Sequence, residues 1–154
     1  MSTKIAINGF GRIGRAAFKA ALENKSVEIV GINDLVDNKS LTHLLQYDSA
    51  YGIYNKKVQT TKEGFKVDGK VYPVFSERDP AKLPWKKLKV DVVLECTGFF
   101  KTKKDATAHI KAGAKRVIIS APAKDATQTI VGGTSLAEDC LKNGKCDDVI
   151  SNAS

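Results

Sequence analysis

The sequence predicts an α/β fold, a parallel sheet with helices on both faces, and three observations support this prediction. First, the apolar run Lys4–Asn8 leads through a glycine-rich turn into residues at helical spacing. Second, the next apolar run, Val27–Asn33, is rich in β-branched residues, as buried parallel strands are. Third, the later runs Asp91–Gly98 and Arg116–Ser120 enclose another helical segment. Strands that alternate with helices in this way favour a doubly wound sheet.

The first helix is predicted to begin at Arg12. Its apolar side chains Ile13, Ala17, Ala20 and Ala21 share one face at helical spacing, so this face is expected to pack on the sheet. The run from Lys4 to Asn33 then reads as strand, helix and strand in about thirty residues, which is the βαβ unit of parallel sheets.

The middle of the chain predicts a small antiparallel insertion. A second helix is expected over Leu41–Tyr47. Beyond it, Asp68-Gly69 separates two strand-like runs, Phe65–Val67 and Val71–Phe75, and Asp-Gly favours the type I′ turn of a tight hairpin. We therefore expect a hairpin insertion near residues 57–75.

The last third predicts one more helix and three strands. Ala106 and Ile110 lie four residues apart on one helix face, and Gly113 is a natural stop for this helix. Besides Arg116–Ser120, short strands are expected in the segments 129–133 and 148–151.

Composition bounds the class of protein. The 154 residues are 42% hydrophobic and 27% charged, as in ordinary globular domains, and no apolar run approaches the roughly 20 residues of a membrane span. The start carries no secretory pattern, and the three cysteines are an odd number that fits a reducing compartment, so a cytoplasmic location is expected. The net charge of +8 raises a nucleic-acid role, but the lysines are scattered, which argues against such a partner.

The turn after the first strand carries the central motif. Gly9, Gly11 and Gly14 form G-x-G-x-x-G between a predicted strand and a predicted helix, the context in which this motif binds a dinucleotide. The amide groups of Arg12 and Ile13 are then expected to point at a pyrophosphate from the helix N-terminus. The fold class thus becomes a Rossmann-type doubly wound sheet.

A carboxylate stands where this motif requires one. Asp34 lies twenty residues after Gly14, directly behind the second strand, where a carboxylate accepts hydrogen bonds from the adenosine ribose. It would repel a 2′-phosphate, and Leu35 offers no compensating charge, so NAD is favoured over NADP. The alternative is that Asp34 serves only as a turn or cap residue.

Two further turns are expected at the same crevice, and no catalytic set is visible. Thr97-Gly98 and Ser120-Ala121 each follow a buried strand, although either pair could be a plain turn. His43 and His109 are expected to be surface or packing residues. The sequence shows no Ser–His–Asp set, no paired carboxylates and no metal-ligand spacing.

Several blocks of the sequence together resemble the N-terminal half of glyceraldehyde-3-phosphate dehydrogenase. In chain order they are KIAINGFGRIGR, NDL, LLQYDSAYG, SERDP, LECTGFF, RVIISAPAKD and ISNAS. With the glycine motif, the resemblance implies a cofactor site for NAD made of Asn8, Gly9, Phe10, Gly11, Arg12, Ile13, Gly14, Asp34, Arg78, Thr97, Gly98, Phe99 and Ser120. Within it, the Arg78 backbone would contact the adenine, and Ser120 would lie near the nicotinamide ribose.

The resemblance also implies an activity that this chain does not complete. In that family a nucleophilic cysteine follows the segment SNAS, so Ser154 would contact the substrate, and none of the three cysteines stands at the nucleophile's position. We expect residues 1–151 to be the NAD-binding domain and 152–154 to begin the catalytic domain.

The expected function is cofactor binding for a glycolytic, phosphorylating enzyme that acts on glyceraldehyde 3-phosphate and phosphate, with the fragment alone inactive. The whole protein is expected to be a homo-oligomer without a membrane partner. Two alternatives stay open: an erythrose-4-phosphate dehydrogenase domain, and a non-catalytic nucleotide- or RNA-binding module.

Overall fold

The computed structural model describes residues 2–125, 127–132, 134–144 and 146–152, and in them it has the predicted Rossmann-type α/β architecture. The helices are α1 (Arg12–Glu23), α2 (Asn38–Gln46), α3 (Trp85–Leu88), α4 (Lys103–Lys111) and α5 (Ser135–Lys142), with a 3₁₀ turn at Pro80–Lys82. The strands are β1 (Thr3–Asn8), β2 (Val27–Asn33), β3 (Tyr47–Asp48), β4 (Gly52–Ile53), β5 (Val58–Thr60), β6 (Gly64–Val67), β7 (Lys70–Phe75), β8 (Val92–Glu95), β9 (Arg116–Ile119), β10 (Gln128–Thr129) and β11 (Val149–Ser151). Among the helices described, none is both long and apolar enough to span a membrane.

One large sheet organises these strands in the order β10-β11-β9-β8-β1-β2-β7-β6-β5. Strand β1 pairs in parallel with β2 on one side and with β8 on the other. The chain therefore winds outward from β1 in one direction and then returns to wind in the other. Such a reversal opens a crevice at the carboxyl ends of the central strands.

The antiparallel insertion is confirmed and joins this sheet. Strands β5, β6 and β7 pair antiparallel, and β7 continues into a parallel pairing with β2. Asp68 and Gly69 both have positive φ, +47° and +86°, as the type I′ turn requires. A separate two-stranded ribbon, β3 with β4, was not predicted.

Two apolar cores cover the two faces of the sheet. Consecutive residues of β1 point to opposite faces, so Ala6 belongs to one core and Ile7 to the other. The core around Ile7 receives Phe18 from α1 and side chains from α2, whereas the core around Ala6 receives Trp85 from α3 and Ala106 from α4. The helices thus cover both faces, as a doubly wound sheet requires.

The predicted buried face of α1 is only partly right, because Ala21 packs against the core whereas Ile13 does not. Ile13 is 55% exposed, and the face that packs on the sheet carries Gly14 and Phe18. The cause is a backbone contact, because a Cβ on Gly14 would lie 2.1 Å from the Gly9 carbonyl oxygen. This contact fixes the rotation of the helix, and Ile13, one residue earlier, is turned about 100° away from the sheet.

Side-chain caps set where α2 and α4 begin, and α2 begins earlier than the apolar pattern predicted. Asp37 accepts a hydrogen bond from the Ser40 amide and starts α2 at Asn38 rather than Leu41. Thr102 caps α4 in the same way through the Asp105 amide. The predicted stop of α4 at Gly113 is confirmed, with φ at +106°.

Where a strand was predicted over 129–133, the structure has a strand at Gln128–Thr129, and Gly133 lies outside the described residues. The structure also joins Cys140 and Cys146 in a disulfide, a pairing that the sequence pattern did not predict and that departs from the expected reduced state of the cysteines.

Gly14→Ala should destabilise the domain by about 1–3 kcal/mol, since the new methyl group would overlap the Gly9 carbonyl unless the helix moves. Urea unfolding followed by circular dichroism measures the difference. Gly11→Ala is the matched control: its methyl group would meet nothing within 4 Å, and the change should be no more than about 1 kcal/mol. Equal stability of the two variants would contradict the proposed packing.

Candidate functional site

A cleft of about 500 Å³ opens at the carboxyl ends of β1, β2 and β8. This is the switch point of the sheet, and the volume falls within the range of small-molecule sites. The cleft is lined by Asn8, Gly9, Gly11, Asn33, Asp34, Leu35, Glu77, Arg78, Cys96, Thr97, Phe99 and Phe100.

The glycine-rich turn forms one wall, and each glycine of the motif has a different environment. Gly9 has φ at +91°, and a Cβ there would lie 2.7 Å from the Thr97 nitrogen, so the turns after β1 and β8 pack backbone against backbone. Gly14 packs on the Gly9 carbonyl. Gly11 faces open space on the cleft side, with nothing within 4 Å of its Cβ position. Of the three glycines in the motif, only Gly11 therefore leaves room for a ligand to approach the backbone closely.

The N-terminus of α1 is suited to an anion. Its first backbone amides, from Arg12 onward, have no acceptor within the helix. The N-cap residue, Gly11, supplies no side-chain acceptor, and the first turn carries no acidic residue. The helix dipole and these free amides favour a phosphate group at this position.

Asp34 stands across the turn from this helix end and is half-buried. Its Oδ2 accepts a hydrogen bond from the Phe10 amide at 2.6 Å, and its Oδ1 accepts one from the Val36 amide at 3.0 Å. The carboxylate thus braces the glycine-rich turn and is a turn residue as well. Each oxygen keeps a further acceptor position, so hydroxyl groups of a ligand can still bind.

The carboxylate excludes a phosphate group from its own hydroxyl-binding position, because the two negative charges would repel each other. The neighbouring Leu35 is 52% exposed and apolar, and it supplies no positive charge.

The structure gathers seven of the predicted cofactor residues in this cleft: Asn8, Gly9, Gly11, Asp34, Arg78, Thr97 and Phe99. Gly98 adjoins them in the same turn, with φ at +74°. Ser120 is half-buried and is not among the residues that line the cleft. Its amide donates to the Glu95 carbonyl. Ser154, the predicted substrate residue, lies outside the described residues.

Three other predicted residues do not present their side chains to the cleft. Phe10 is 1% exposed and packs against Phe18 and Phe65, so only its backbone belongs to the turn. The side chains of Arg12 and Ile13 line a second depression of about 930 Å³, between α1 and residues 47–55. Their expected role concerns the backbone amides, which this placement leaves available.

The floor of the cleft contains polar side chains, of which only Asn8 was among the predicted site residues. Asn8, Asn33 and Glu95 end three adjacent strands, pair in register, and are each at most 5% exposed. His109, predicted as a surface or packing residue, is fully buried beside them. The sequence does show a polar residue at the end of each of the three apolar runs, and this pattern could have indicated a polar floor.

Cys96 lies in the same wall and is a poor nucleophile. Burial raises the pKa of its thiol to about 11, and a hydrogen bond with Ser120 only partly offsets this. In the part of the chain that the structure describes, no group of three or more His, Cys, Asp or Glu side chains could hold a metal ion. The arrangement suits binding of an extended anionic ligand rather than chemistry by its own side chains.

Comparison with known proteins gives a consistent result. Residues 3–103 match the family model described as glyceraldehyde 3-phosphate dehydrogenase, NAD binding domain. Glyceraldehyde-3-phosphate dehydrogenase from Clostridium pasteurianum is 49% identical over 90% of this chain and 46% of its own length. Glyceraldehyde-3-phosphate dehydrogenase 1 from Bacillus subtilis is 51% identical over 100% of this chain and 45% of its own. The chain thus spans about half the length of the curated relatives that it matches.

The Cys96 thiol should resist alkylation at neutral pH. With its pKa raised from 9.0 to about 11, its thiolate fraction at pH 7.5 is about a hundredfold below that of an ordinary cysteine. The rate of iodoacetamide labelling should climb about tenfold per pH unit toward pH 10, as long as the fold persists. Peptide mass spectrometry follows the site, with Cys96→Ser as the control. Rapid stoichiometric labelling of native Cys96 at pH 7.5 would contradict the assignment.

Proposed function

Because the chain belongs to the family of glyceraldehyde 3-phosphate dehydrogenase NAD-binding domains, we propose that its 500 Å³ cleft binds NAD for aldehyde oxidation in the whole protein. The observation that carries this proposal is the combination of three features at one strand end. An uncapped helix N-terminus, an open cradle at Gly11 and a carboxylate at Asp34 face the same cleft. Pyrophosphate and ribose hydroxyls require these features in this arrangement.

Different residues of the chain would bind different parts of the cofactor. The amides of Arg12 and Ile13 would hold the pyrophosphate, and Gly11 would allow it to approach the backbone. Asp34 would accept hydrogen bonds from the adenosine ribose while it braces the turn through the Phe10 amide. Bound NAD supplies the hydride acceptor, which no side chain of the chain can provide. Thr97 and Phe99 form the opposite wall and would exclude water from one side of the cofactor.

The whole protein is proposed to oxidise glyceraldehyde 3-phosphate with phosphate as co-substrate, by analogy with the names of its relatives. The thiolate and the base would come from outside residues 1–151. This agrees with the state of the chain's own cysteines, because Cys96 has a raised pKa and Cys140 and Cys146 are paired. Formation of NADH from aldehyde and phosphate by this chain alone would contradict that division. Homo-oligomeric assembly and a cytoplasmic location are proposed on the same analogy.

Asp34→Ala should weaken NAD binding roughly ten- to hundredfold, because hydrogen bonds to a charged group contribute about 1.5–3 kcal/mol. Isothermal titration measures the dissociation constant, at a temperature where circular dichroism shows each variant to be folded. Wild-type chain should bind NAD more tightly than NADP, since Asp34 repels the 2′-phosphate.

Asp37→Ala is the matched control for this test. Asp37 is also an acidic loop residue that accepts a backbone hydrogen bond, but it caps α2 and does not line the cleft. Its removal should lower stability through the loss of the helix cap and leave NAD affinity unchanged. Equal affinity of wild type for NADP and NAD, or an equal loss in both variants, would contradict the role given to Asp34.

A further inference from the structure

A carboxylate is buried directly beneath the proposed NAD cleft. Glu95 ends β8 and is 1% exposed. Among the described residues its hydrogen-bond partners include no lysine or arginine. Burying a charge without a counter-ion is costly, and the cost is offset only when hydrogen bonds satisfy the group. The hydrogen-bond donors around Glu95 therefore indicate the structural role of its carboxylate.

Each oxygen of Glu95 accepts two hydrogen bonds. Oε1 accepts from the Thr97 amide at 2.8 Å and from the Thr97 hydroxyl at 2.5 Å. Oε2 accepts from Asn8 Nδ2 at 2.6 Å and lies 2.9 Å from His109 Nε2. Four donors match the four acceptor positions of an ionised carboxylate.

The tautomer of His109 is fixed by Trp85. An indole N–H can only donate, and Trp85 Nε1 lies 3.0 Å from His109 Nδ1, so Nδ1 accepts. The ring proton is then on Nε2, from which it is donated to Glu95. All four partners of the carboxylate are consequently donors, and none of them competes for its lone pairs.

These bonds join the two walls of the cleft. Asn8 immediately precedes Gly9 in the glycine-rich turn, and Thr97 belongs to the turn after β8. Asn8 and Glu95 are direct partners in the parallel register of β1 and β8. Asn8 Oδ1 also accepts from Asn33 Nδ2 at 2.7 Å, which extends the row of polar side chains to β2. One carboxylate thus holds both turns at the switch point of the sheet.

We propose that Glu95 is a positioning residue that sets the separation of the Asn8–Gly9 turn and the Thr97 turn, and through it the affinity for NAD. It does not itself contact the cofactor. The inference rests on the proposed function, since it assigns the cleft to NAD. It explains why a buried charge is kept at a place where an apolar side chain would pack.

Glu95→Gln tests the proposal with a side chain of the same shape. One terminal atom becomes an amide donor and faces either Thr97 or the pair Asn8 and His109. The Thr97 backbone amide cannot become an acceptor, and Trp85 prevents His109 Nε2 from doing so. Either orientation places donor against donor. NAD affinity of the folded variant should fall at least tenfold, as measured by isothermal titration.

A second substitution should rescue this variant. In the double variant Asn8→Asp/Glu95→Gln, the new amide at position 95 would donate to the new carboxylate at position 8, and the amide oxygen would accept from both Thr97 donors. His109 Nε2 lies 3.4 Å from Asn8 Nδ2, the atom that the substitution replaces with a carboxylate oxygen, so it finds a new acceptor. The net charge equals that of wild type. Affinity should recover most of the loss, whereas Asn8→Asp alone, with two carboxylates in contact, should bind weakly.

Trp85→Phe is the control for stability. It removes the indole donor to His109 and lowers stability, but the Glu95 carboxylate itself still favours the proton on His109 Nε2, so the four bonds of Glu95 should stay in place. Its NAD affinity should match wild type at a temperature where both are folded. If Glu95→Gln does not fold, the comparison of Asn8→Asp with the double variant gives the answer, and the double variant should bind NAD more tightly than Asn8→Asp.

Unchanged affinity in Glu95→Gln would overturn the proposal, as would a double variant that binds no better than either single one. A loss in Trp85→Phe as large as in Glu95→Gln would also overturn it, since stability alone would then explain the effect. Wild-type chain that bound no NAD would overturn the proposed function as well. In the other outcomes the wild-type chain still binds NAD, so failure of the Glu95 proposal can be distinguished from failure of the proposed function.

Discussion

Three backbone segments meet at the carboxyl end of β1 at distances that leave no room for side chains. The turn at Gly9 lies against the backbone of residues 96–97, and the Gly14 position of α1 lies against the Gly9 carbonyl. Because no Cβ fits at either glycine, the helix start, the first turn and the turn after β8 are held in one arrangement. The direction of the α1 amides, the exposure of Ile13 and the opening at Gly11 all follow from this contact.

Two carboxylates support this junction from opposite sides and are used differently. Asp34 is half-buried and each of its oxygens accepts one backbone amide, which leaves further acceptor positions open to a ligand. Glu95 is buried, and its four acceptor positions are all filled by protein donors. The first charge can therefore discriminate between ligands, whereas the second can act only through the residues that it holds.

The sequence predicted the features that depend on local pattern. The glycine spacing, the carboxylate twenty residues later and the Asp68-Gly69 turn each require particular residue types at a fixed distance along the chain. Ile13 was wrongly placed on the buried face of α1 because only apolar side chains were counted, while the rotation of the helix is set by Gly14, which carries no side chain. Phe10 was assigned to the cofactor loop by the family resemblance, and its ring fills the core against Phe18.

The contacts within the polar floor could not be predicted from local pattern. Asn8, Glu95 and His109 are up to 101 residues apart along the chain and are joined only by strand register and helix packing. Knowledge of the strand order brings Asn8 and Glu95 side by side, and the cleft then explains the pairing.

The central claim, that NAD lies in the cleft with its pyrophosphate at the start of α1, is tested most directly by amide chemical-shift mapping. A ¹⁵N-labelled sample of the chain would be titrated with NAD, and the resonances of Gly11, Leu35 and Thr97 should shift together and saturate. Amides of Tyr51 and Ile53, in the larger depression between α1 and residues 47–55, should change little. Shifts concentrated at Tyr51 and Ile53, with Leu35 and Thr97 unaffected, would contradict the account.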